Sequence, residues 1–463
     1  MTNKVSHLEE KLYDGRKPRR ILALDGGGIR GALTLGFLEE IERVIQAQPG
    51  NEDKLLCDYF DLIIGTSTGS IIASGLAIGL TARQIKDQYL TLGGTIFSKR
   101  RKPWLPGVLR YALRAEYRHN RLVEGLEETF GGTTLGDNEK IKTGLAIVAK
   151  RADTFSTWVF NNFQRAPFYY RNKELRLVDL IRASTAAPSY FEPHILNVGG
   201  SNPLGAFIDG GVSLANNPSF QALMLASIKG YSLGWSLKED DFMIVSVGTG
   251  TGTKQIASQK LRRMPIFRWG KVIPNLFMED ASYFNQALLQ WLSDSPTAIE
   301  IDRVVKDLRD DYFLLGLKPL NYVRYNVKMD VDYLQEELGM EFTPAQVEHL
   351  REMDKGENRF TLAEIGEGAA RIQVKTEHFE PKPVKRQGGK LLFNTYDTPD
   401  LPFKKAVKKA IPIQYCKMDE PFLVNTLEGI HSGEAGDYLV IGTQGELYPI
   451  KKDIFEKTYD ALP

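Results

Sequence analysis

A chain of 463 residues, 42% hydrophobic and 25% charged, can bury a large core, and its length suggests two to four domains or one large one with appendages. A formal net charge of +1 excludes the overall positive field of a nucleic-acid-binding protein, so no nucleic-acid polymer is expected as a partner. Only Cys57 and Cys416 occur, far apart and without ligand spacing, which argues against a disulfide framework or a zinc site and for a cytoplasmic protein.

Residues 1–20, "MTNKVSHLEEKLYDGRKPRR", read as a charged segment without the apolar core of a signal peptide. No run approaches the ~18 apolar residues of a membrane span. "RILALDG" then reads as a buried strand, and residues 31–47 as a helix with Leu33, Phe37, Leu38, Ile41 and Ile45 on one side. "YFDLIIGTS" is a second strand. Residues 68–79, rich in Gly, Ala and Ser, form a helix able to pack closely, and Thr81 caps the next one, "ARQIKDQYLTL". "TGLAIVAKR", "STWVFNNF", "GAFIDGG" and "DFMIVSVGTG" supply further strands. Alternating β and α elements over 21–253 predict a mainly parallel sheet with helices on both faces. From 254 to 380 the pattern is less regular and more helical. Residues 381–390, "PKPVKRQGGK", have linker composition, and 391–463 read as a small, mostly β module in which "GDYLVIGTQGELYPIKK" forms a hairpin.

Three glycine-containing stretches carry the chemistry. "DGGGIRG" (25–31) puts four glycines in seven positions between a strand and a helix, a turn that lets main-chain N–H groups approach something small and negative. Gly26, Gly28 and Gly31 satisfy G-x-G-x-x-G, the dinucleotide fingerprint. That fingerprint also needs an acid about 20 residues on to hold the ribose. "VIQAQPG" (44–50) contains none, and the next strand ends in "GTSTG", so cofactor binding loses its support. Gly65 to Gly69 match G-x-S-x-G, the nucleophile elbow, in the strand-to-helix setting that motif requires. By itself Ser67 reads as readily as a turn serine or helix cap. Asp209, followed by Gly210 and Gly211, is in isolation a turn residue. At the C-terminal end of a parallel strand, however, it lies on the same sheet edge as Ser67 and the glycine loop, where ligands bind.

Together "DGGGIRG", "GTSTG" and "DGGVSLANNP", with "RASTAAPSYFEP" (182–193) and "SVGTGTG" (246–252) between and after them, resemble the signature blocks of the patatin-like phospholipase family. The similarity runs from about residue 21 to 253 and continues more loosely to about 380, including "MDKGENRFTLAEIGEGAA". What the resemblance implies is an α/β fold of three layers, its mainly parallel central sheet lying between helices. The implied activity is that of a serine lipid acyl hydrolase, phospholipase A-like, with a Ser–Asp dyad and no catalytic histidine. Ser67 would be the nucleophile and Asp209 its base. Gly26, Gly27 and Gly28 would line the oxyanion hole, and Arg30 would support that loop or a substrate phosphate. The substrate would be a phospholipid or another acyl lipid, with no cofactor and no metal; "DKGENR" has acids but lacks EF-hand spacing. Some bacterial relatives are effectors switched on by a nucleotide signal or a partner protein, and the sequence names no ligand for the C-terminal module. A free Asp, with a pKa of ~3.9, is a poor base at neutral pH. Much of the stabilisation would then fall to the oxyanion donors, each typically worth ~3–4 kcal/mol.

Two other readings compete. A Ser–His–Asp esterase orders its residues Ser, Asp, His; His194 precedes Asp209 and breaks that order, while His349, His378 and His431 keep it but read as surface or helix histidines. A non-catalytic lipid-binding or scaffold protein of the same fold would not require Ser67, Asp209 and the glycine loop all intact. Ser184, Thr185 and Pro188 either shape an acyl pocket or merely pack a helix. Residues 99–121 carry eight Lys/Arg and one Glu interleaved with Trp104, Leu105, Leu109 and Leu113. That composition suits a segment lying on an anionic bilayer and equally a solvated connector. Arg100, Arg101, Trp104 and Leu105 are the candidate membrane contacts of a protein peripheral to the bilayer.

Overall fold

The computed structural model describes residues 6–15, 18–96, 120–188, 190–200, 202–237, 242–252, 261–311, 318–380, 386–387, 390–391, 412–426, 429–443 and 445–460. The chain divides into two units, Met1–Lys382 and Pro383–Pro463.

Among the described residues, eight strands build the sheet of the first unit: β1 (Arg19–Leu24), β2 (Leu62–Thr66), β3 (Gly144–Arg151), β4 (Ser156–Asn161), β5 (His194–Asn197), β6 (Leu204–Asp209), β7 (Phe242–Val247) and β8 (Asn321–Tyr325). Their order is β5-β6-β3-β2-β1-β7-β8, with β4 also paired to β3. The run β3-β2-β1-β7-β8 is parallel throughout. β4, β5 and β6 join it through antiparallel pairings.

Successive residues of a strand face opposite sides of a sheet, so a strand apolar at every position must be covered on both. On β1 and β2, Leu22, Leu24 and Ile63 enter one core, shared with the helices Gly31–Gln46, Thr68–Ala77 and Arg359–Gln373. Ile21, Ala23, Leu62 and Ile64 enter the other, with the helices His7–Tyr13 and Ser219–Ser227. Each fully buried Leu or Ile contributes ~1.5–3 kcal/mol. The result is three layers, with a mostly parallel sheet in the middle. The core positions expected on the helix after the glycine loop, Leu33, Phe37, Leu38, Ile41 and Ile45, are all buried.

Two features correct the sequence reading. β8 lies in the stretch read as helical, where it extends the sheet beyond β7. β6 is not parallel to its neighbour: it follows β5 after a short connection, and closely connected strands can pair only antiparallel, since a parallel pair needs a crossover of a dozen or more residues. The register shows what this achieves. β4 occupies one edge of β3 from Ala146 to Arg151. The opposite edge is shared: β2 takes Gly144 to Val148, with Thr66 opposite Val148, and β6 takes Ala149 to Arg151, with Asp209 opposite Ala149. β2 and β6 therefore run toward each other along one edge of β3 and stop tip to tip. Ser67 follows the last residue of β2, and Asp209 is the last residue of β6. Asp209 thus reaches the expected edge from the opposite direction.

No helix among the described residues is long and apolar enough to cross a membrane. In the second unit, strands Gln414–Lys417, Tyr438–Ile441 and Leu447–Ile450 form an antiparallel sheet, the last two being the hairpin read from the sequence. A second hairpin pairs Phe422–Thr426 with Gly429–Gly433. The core of this unit is small and largely aromatic: Phe455 stacks on Tyr438 with ring centroids 4.1 Å apart, and Tyr459 lies 4.9 Å beyond Phe455.

Candidate active site

Ser67 sits on the turn from β2 into the helix Thr68–Ala77, with φ 53° and ψ −122°, a conformation that non-glycine residues adopt only when their surroundings enforce it. Four hydrogen bonds do so. The Ser67 N–H donates to Ser184 Oγ (2.9 Å), which in turn donates to the Val148 carbonyl (2.6 Å). Thr66 Oγ1 donates to the Ala215 carbonyl and Ser70 Oγ to the Ser67 carbonyl, both at 2.6 Å. The turn also crosses the end of β1 so closely that a Cβ on Gly69 would lie 2.2 Å from the Leu24 carbonyl oxygen. Only glycine fits there. Ser67 occupies the N-cap position of the helix, but its hydroxyl makes no capping bond. It donates instead to Asp209 Oδ2, at 2.6 Å.

Asp209 is 6% exposed and Ser67 8%. The other carboxylate oxygen, Oδ1, accepts the N–H of Gly211 at 2.7 Å, so the turn role of an Asp before two glycines and its contact with Ser67 coexist. Burial pushes the Asp209 carboxyl up to about 6, against the opposing pull of the hydrogen bonds from Ser67 and Gly211. A carboxylate with that affinity for protons, resting on a serine hydroxyl, is ionised at neutral pH yet a better proton acceptor than a free Asp.

The glycine loop lies against this pair: a Cβ on Gly26 would fall 3.2 Å from that of Ser67. Its three glycines are not equivalent. The Gly26 N–H donates to the Asn216 carbonyl, and the Gly26 carbonyl accepts from Thr249 Oγ1. Gly26 therefore contributes shape, not a donor. The N–H groups of Gly27 and Gly28 have no acceptor among the described residues. Gly28 has φ +56°, and a Cβ there would meet the Met353 carbonyl oxygen at 2.4 Å. Arg30 donates to the Gly250 carbonyl at 3.3 Å while its Nε finds no acceptor among the described residues, and burial lowers its pKa against the influence of Glu279 and Asp25.

Ser67, Asp209, Gly27, Gly28 and Arg30 line one cavity of about 1390 Å³, beyond the ~300–1,000 Å³ of ordinary small-molecule pockets. Ile71, Leu92, Leu122, Leu126, Phe191 and Met278 give it an apolar wall. Thr185 and Pro188 face the same space, whereas Ser184 stands behind the elbow as described. Asn216 is a site residue that the motifs did not single out. It lines the cavity, its Oδ1 has no donor among the described residues, and its carbonyl holds the Gly26 amide; the signal was its place within "DGGVSLANNP", five residues after Gly211.

None of the described histidines touches Ser67 or Asp209. His194 faces Asp179 at 3.5 Å, and His349 Nδ1 pairs with Asn358 at 2.9 Å. His378 ends the 3-10 helix Thr376–His378, the helix alternative of its reading, where it is buried and pairs with the Tyr325 hydroxyl at 2.8 Å. His431 lies on a strand of the second unit. Among the described residues no three His, Cys, Asp or Glu side chains are grouped to hold a metal ion. Arg100, Arg101, Trp104 and Leu105 lie outside the described residues.

The sequence model of the patatin-like phospholipase family matches residues 22–223. Among individual proteins, the chain is 36% identical over 236 residues to a cGAMP-activated phospholipase of Escherichia coli, covering 50% of this chain and 63% of that one. It is 36% identical over 209 residues to a protein of the same description from Vibrio cholerae, covering 44% and 56%. To patatin group M-3 of Solanum tuberosum it is 27% identical over 283 residues, covering 57% and 69%. The chain thus spans somewhat more than half the length of the two bacterial relatives. Over residues 22–223, the chain is similar to the patatin-like phospholipase family.

Proposed function

We propose that this chain is a serine acyl hydrolase that releases fatty acids from phospholipids, with Ser67 as nucleophile, Asp209 as its base, and the amides of Gly27 and Gly28 as oxyanion donors. The observation that carries this reading is the 2.6 Å hydrogen bond from Ser67 Oγ to the buried Asp209 carboxylate, at the wall of a large, partly apolar cavity. Asp209 takes the hydroxyl proton as Ser67 Oγ attacks the ester carbonyl carbon. The negative charge that develops on the carbonyl oxygen is met by the two free amides. Collapse expels the alcohol, which leaves with the proton from Asp209. Asp209 then takes a proton from the water that attacks the acyl-enzyme and returns it to Ser67 Oγ as that oxygen leaves, which releases the fatty acid and regenerates Ser67 and the Asp209 carboxylate.

A long acyl chain is favoured over a short ester by the cavity's volume and by the helix Ile266–Trp291. That helix lends Met278 and Tyr283 to the cavity while leaving Ile273, Leu276, Phe277 and Phe284 exposed alongside. The test is fatty-acid release from phosphatidylglycerol vesicles by wild type, Ser67→Ala, Asp209→Ala, His194→Ala and His378→Ala, each with and without cGAMP, the nucleotide in the two relatives' descriptions. The dyad predicts that only the first two substitutions abolish turnover. Loss in either histidine variant would favour the Ser–His–Asp scheme, and silence of wild type under both conditions a binding protein. Turnover confined to the cGAMP arm would extend that mode of activation to this chain.

A further inference from the structure

The cavity wall contains a charged pair that the proposed reaction does not use. Asp25, the residue between β1 and the three glycines, is 4% exposed, and its partner Arg324 is 5% exposed. Arg324 grips both carboxylate oxygens, Nη1 to Oδ1 at 2.8 Å and Nη2 to Oδ2 at 2.6 Å. The same Nη1 also meets Ser246 Oγ at 2.6 Å. Arg324 stands on β8 and Ser246 on β7, so the guanidinium reaches across an intervening strand to the tip of β1. Arg324 lies outside residues 22–223, where the family model matches.

A buried ion pair is a poor device for stability, because desolvating two charges consumes most of what their attraction returns. It is a good device for orientation: a planar fork on a planar carboxylate fixes direction as well as distance. What is oriented here is the loop. The Asp25 N–H is held by the Val247 carbonyl and its side chain by Arg324. Downstream, Ile29 N–H donates to the Met353 carbonyl and the Gly28 carbonyl accepts from the Tyr89 hydroxyl. Between these anchors only the amides of Gly27 and Gly28, two residues that line the cavity, are without an acceptor among the described residues.

We propose that Arg324 is a positioning residue for the oxyanion loop, acting through its bidentate pair with Asp25 to aim the Gly27 and Gly28 amides at the substrate carbonyl. The inference rests on the hydrolase reading above. Its test compares wild type, Ser67→Ala, Arg324→Lys and the double variant Asp25→Asn/Arg324→Met on a soluble p-nitrophenyl ester and on its thiono counterpart, whose sulfur is a weaker hydrogen-bond acceptor. Melting temperature is recorded for each. Arg324→Lys keeps the charge but loses the fork. Its kcat should fall roughly 10–100-fold, short of the 10²–10³ lost with a whole oxyanion donor, with KM little changed and the preference for the oxo ester reduced. The double variant removes both buried charges. It should regain the melting temperature lost by Arg324→Lys without regaining kcat. An Arg324→Lys variant with wild-type kcat, or a double variant that recovers stability and kcat together, overturns the inference while leaving the hydrolase reading intact. Failure of both variants to fold would make the pair structural and overturn it as well. Absence of Ser67-dependent turnover in wild type both with and without cGAMP would remove the hydrolase reading and this inference with it.

Discussion

Replacing Asp209 with Asn should disable the proposed hydrolase and stabilise the protein, and the stabilisation should depend on pH in a calculable way. In the fold the carboxyl titrates at about 6, against an ordinary value of 3.8, because it is buried. The folded state therefore binds this proton more tightly than the unfolded state. Stability falls as pH rises from about 4 to about 6 and stays down above that. At 1.36 kcal/mol per pH unit, the charge costs ~1 kcal/mol at pH 4.5 and ~3 kcal/mol at pH 8. Asn has the same shape, its Oδ1 can still accept from Gly211, and its amide can donate to Ser67, so both contacts survive without the charge. Asp209→Asn should thus be more stable than wild type by up to ~3 kcal/mol at pH 8 and by about a third of that at pH 4.5. Turnover should drop by roughly 10²–10⁴, the usual share of a general base. Urea denaturation at the two pH values gives the comparison. A variant no more stable than wild type at pH 8, or a gain of equal size at both, would refute the reasoning that burial raises the affinity of this carboxylate for its proton.

The same titration predicts that kcat/KM on a soluble ester rises through pH 6 and levels above it; an inflection at or below pH 4 would mean a solvated base. Ser184→Ala leaves the Ser67 N–H and the Val148 carbonyl without their partner, which should cost about 1–3 kcal/mol and lower kcat, and unchanged denaturation would count against that role. Gly28→Ala forces a Cβ onto the Met353 carbonyl at a positive φ, so kcat should fall by an order of magnitude or more in a folded protein, measured beside its circular dichroism. Leu126→Trp narrows the apolar wall of the cavity and should shift preference toward shorter acyl chains in a series of p-nitrophenyl esters; an unaltered profile would place the acyl chain elsewhere.

Much of this site was legible from local patterns, and the parts that were not share a cause. Strand β2, the G-x-S-x-G turn and the helix after it are dictated by neighbouring residues, so composition and period reveal them. The direction of β6 is not a property of its own residues: period-two alternation looks alike in either direction, and the short connection from β5 decides. β8 is five residues long and begins more than seventy residues after the preceding strand, too brief a signal against its helical surroundings, and Arg324 was hidden with it. Whether a glycine amide is free depends on which carbonyl faces it. Asn216 takes the amide of Gly26, almost two hundred residues away in sequence, and no local pattern could show that.

The meeting of β2 and β6 also bears on why two residues could serve where many serine hydrolases use three. In a Ser–His–Asp arrangement an imidazole stands between hydroxyl and carboxylate. Here the two oxygens are in contact at 2.6 Å, held there by strand tips that share one edge of β3. No ring can be inserted without moving a strand. On the proposed mechanism the base for Ser67 is then the carboxylate itself, and an exposed carboxylate would be a weak one. The tip-to-tip meeting supplies the remedy along with the contact, because a residue at the end of an interior strand is removed from water. One feature of topology thus sets the distance between Ser67 and Asp209 and raises the proton affinity of the carboxylate, which is why, on the proposed mechanism, Asp209→Asn should separate activity from stability so sharply.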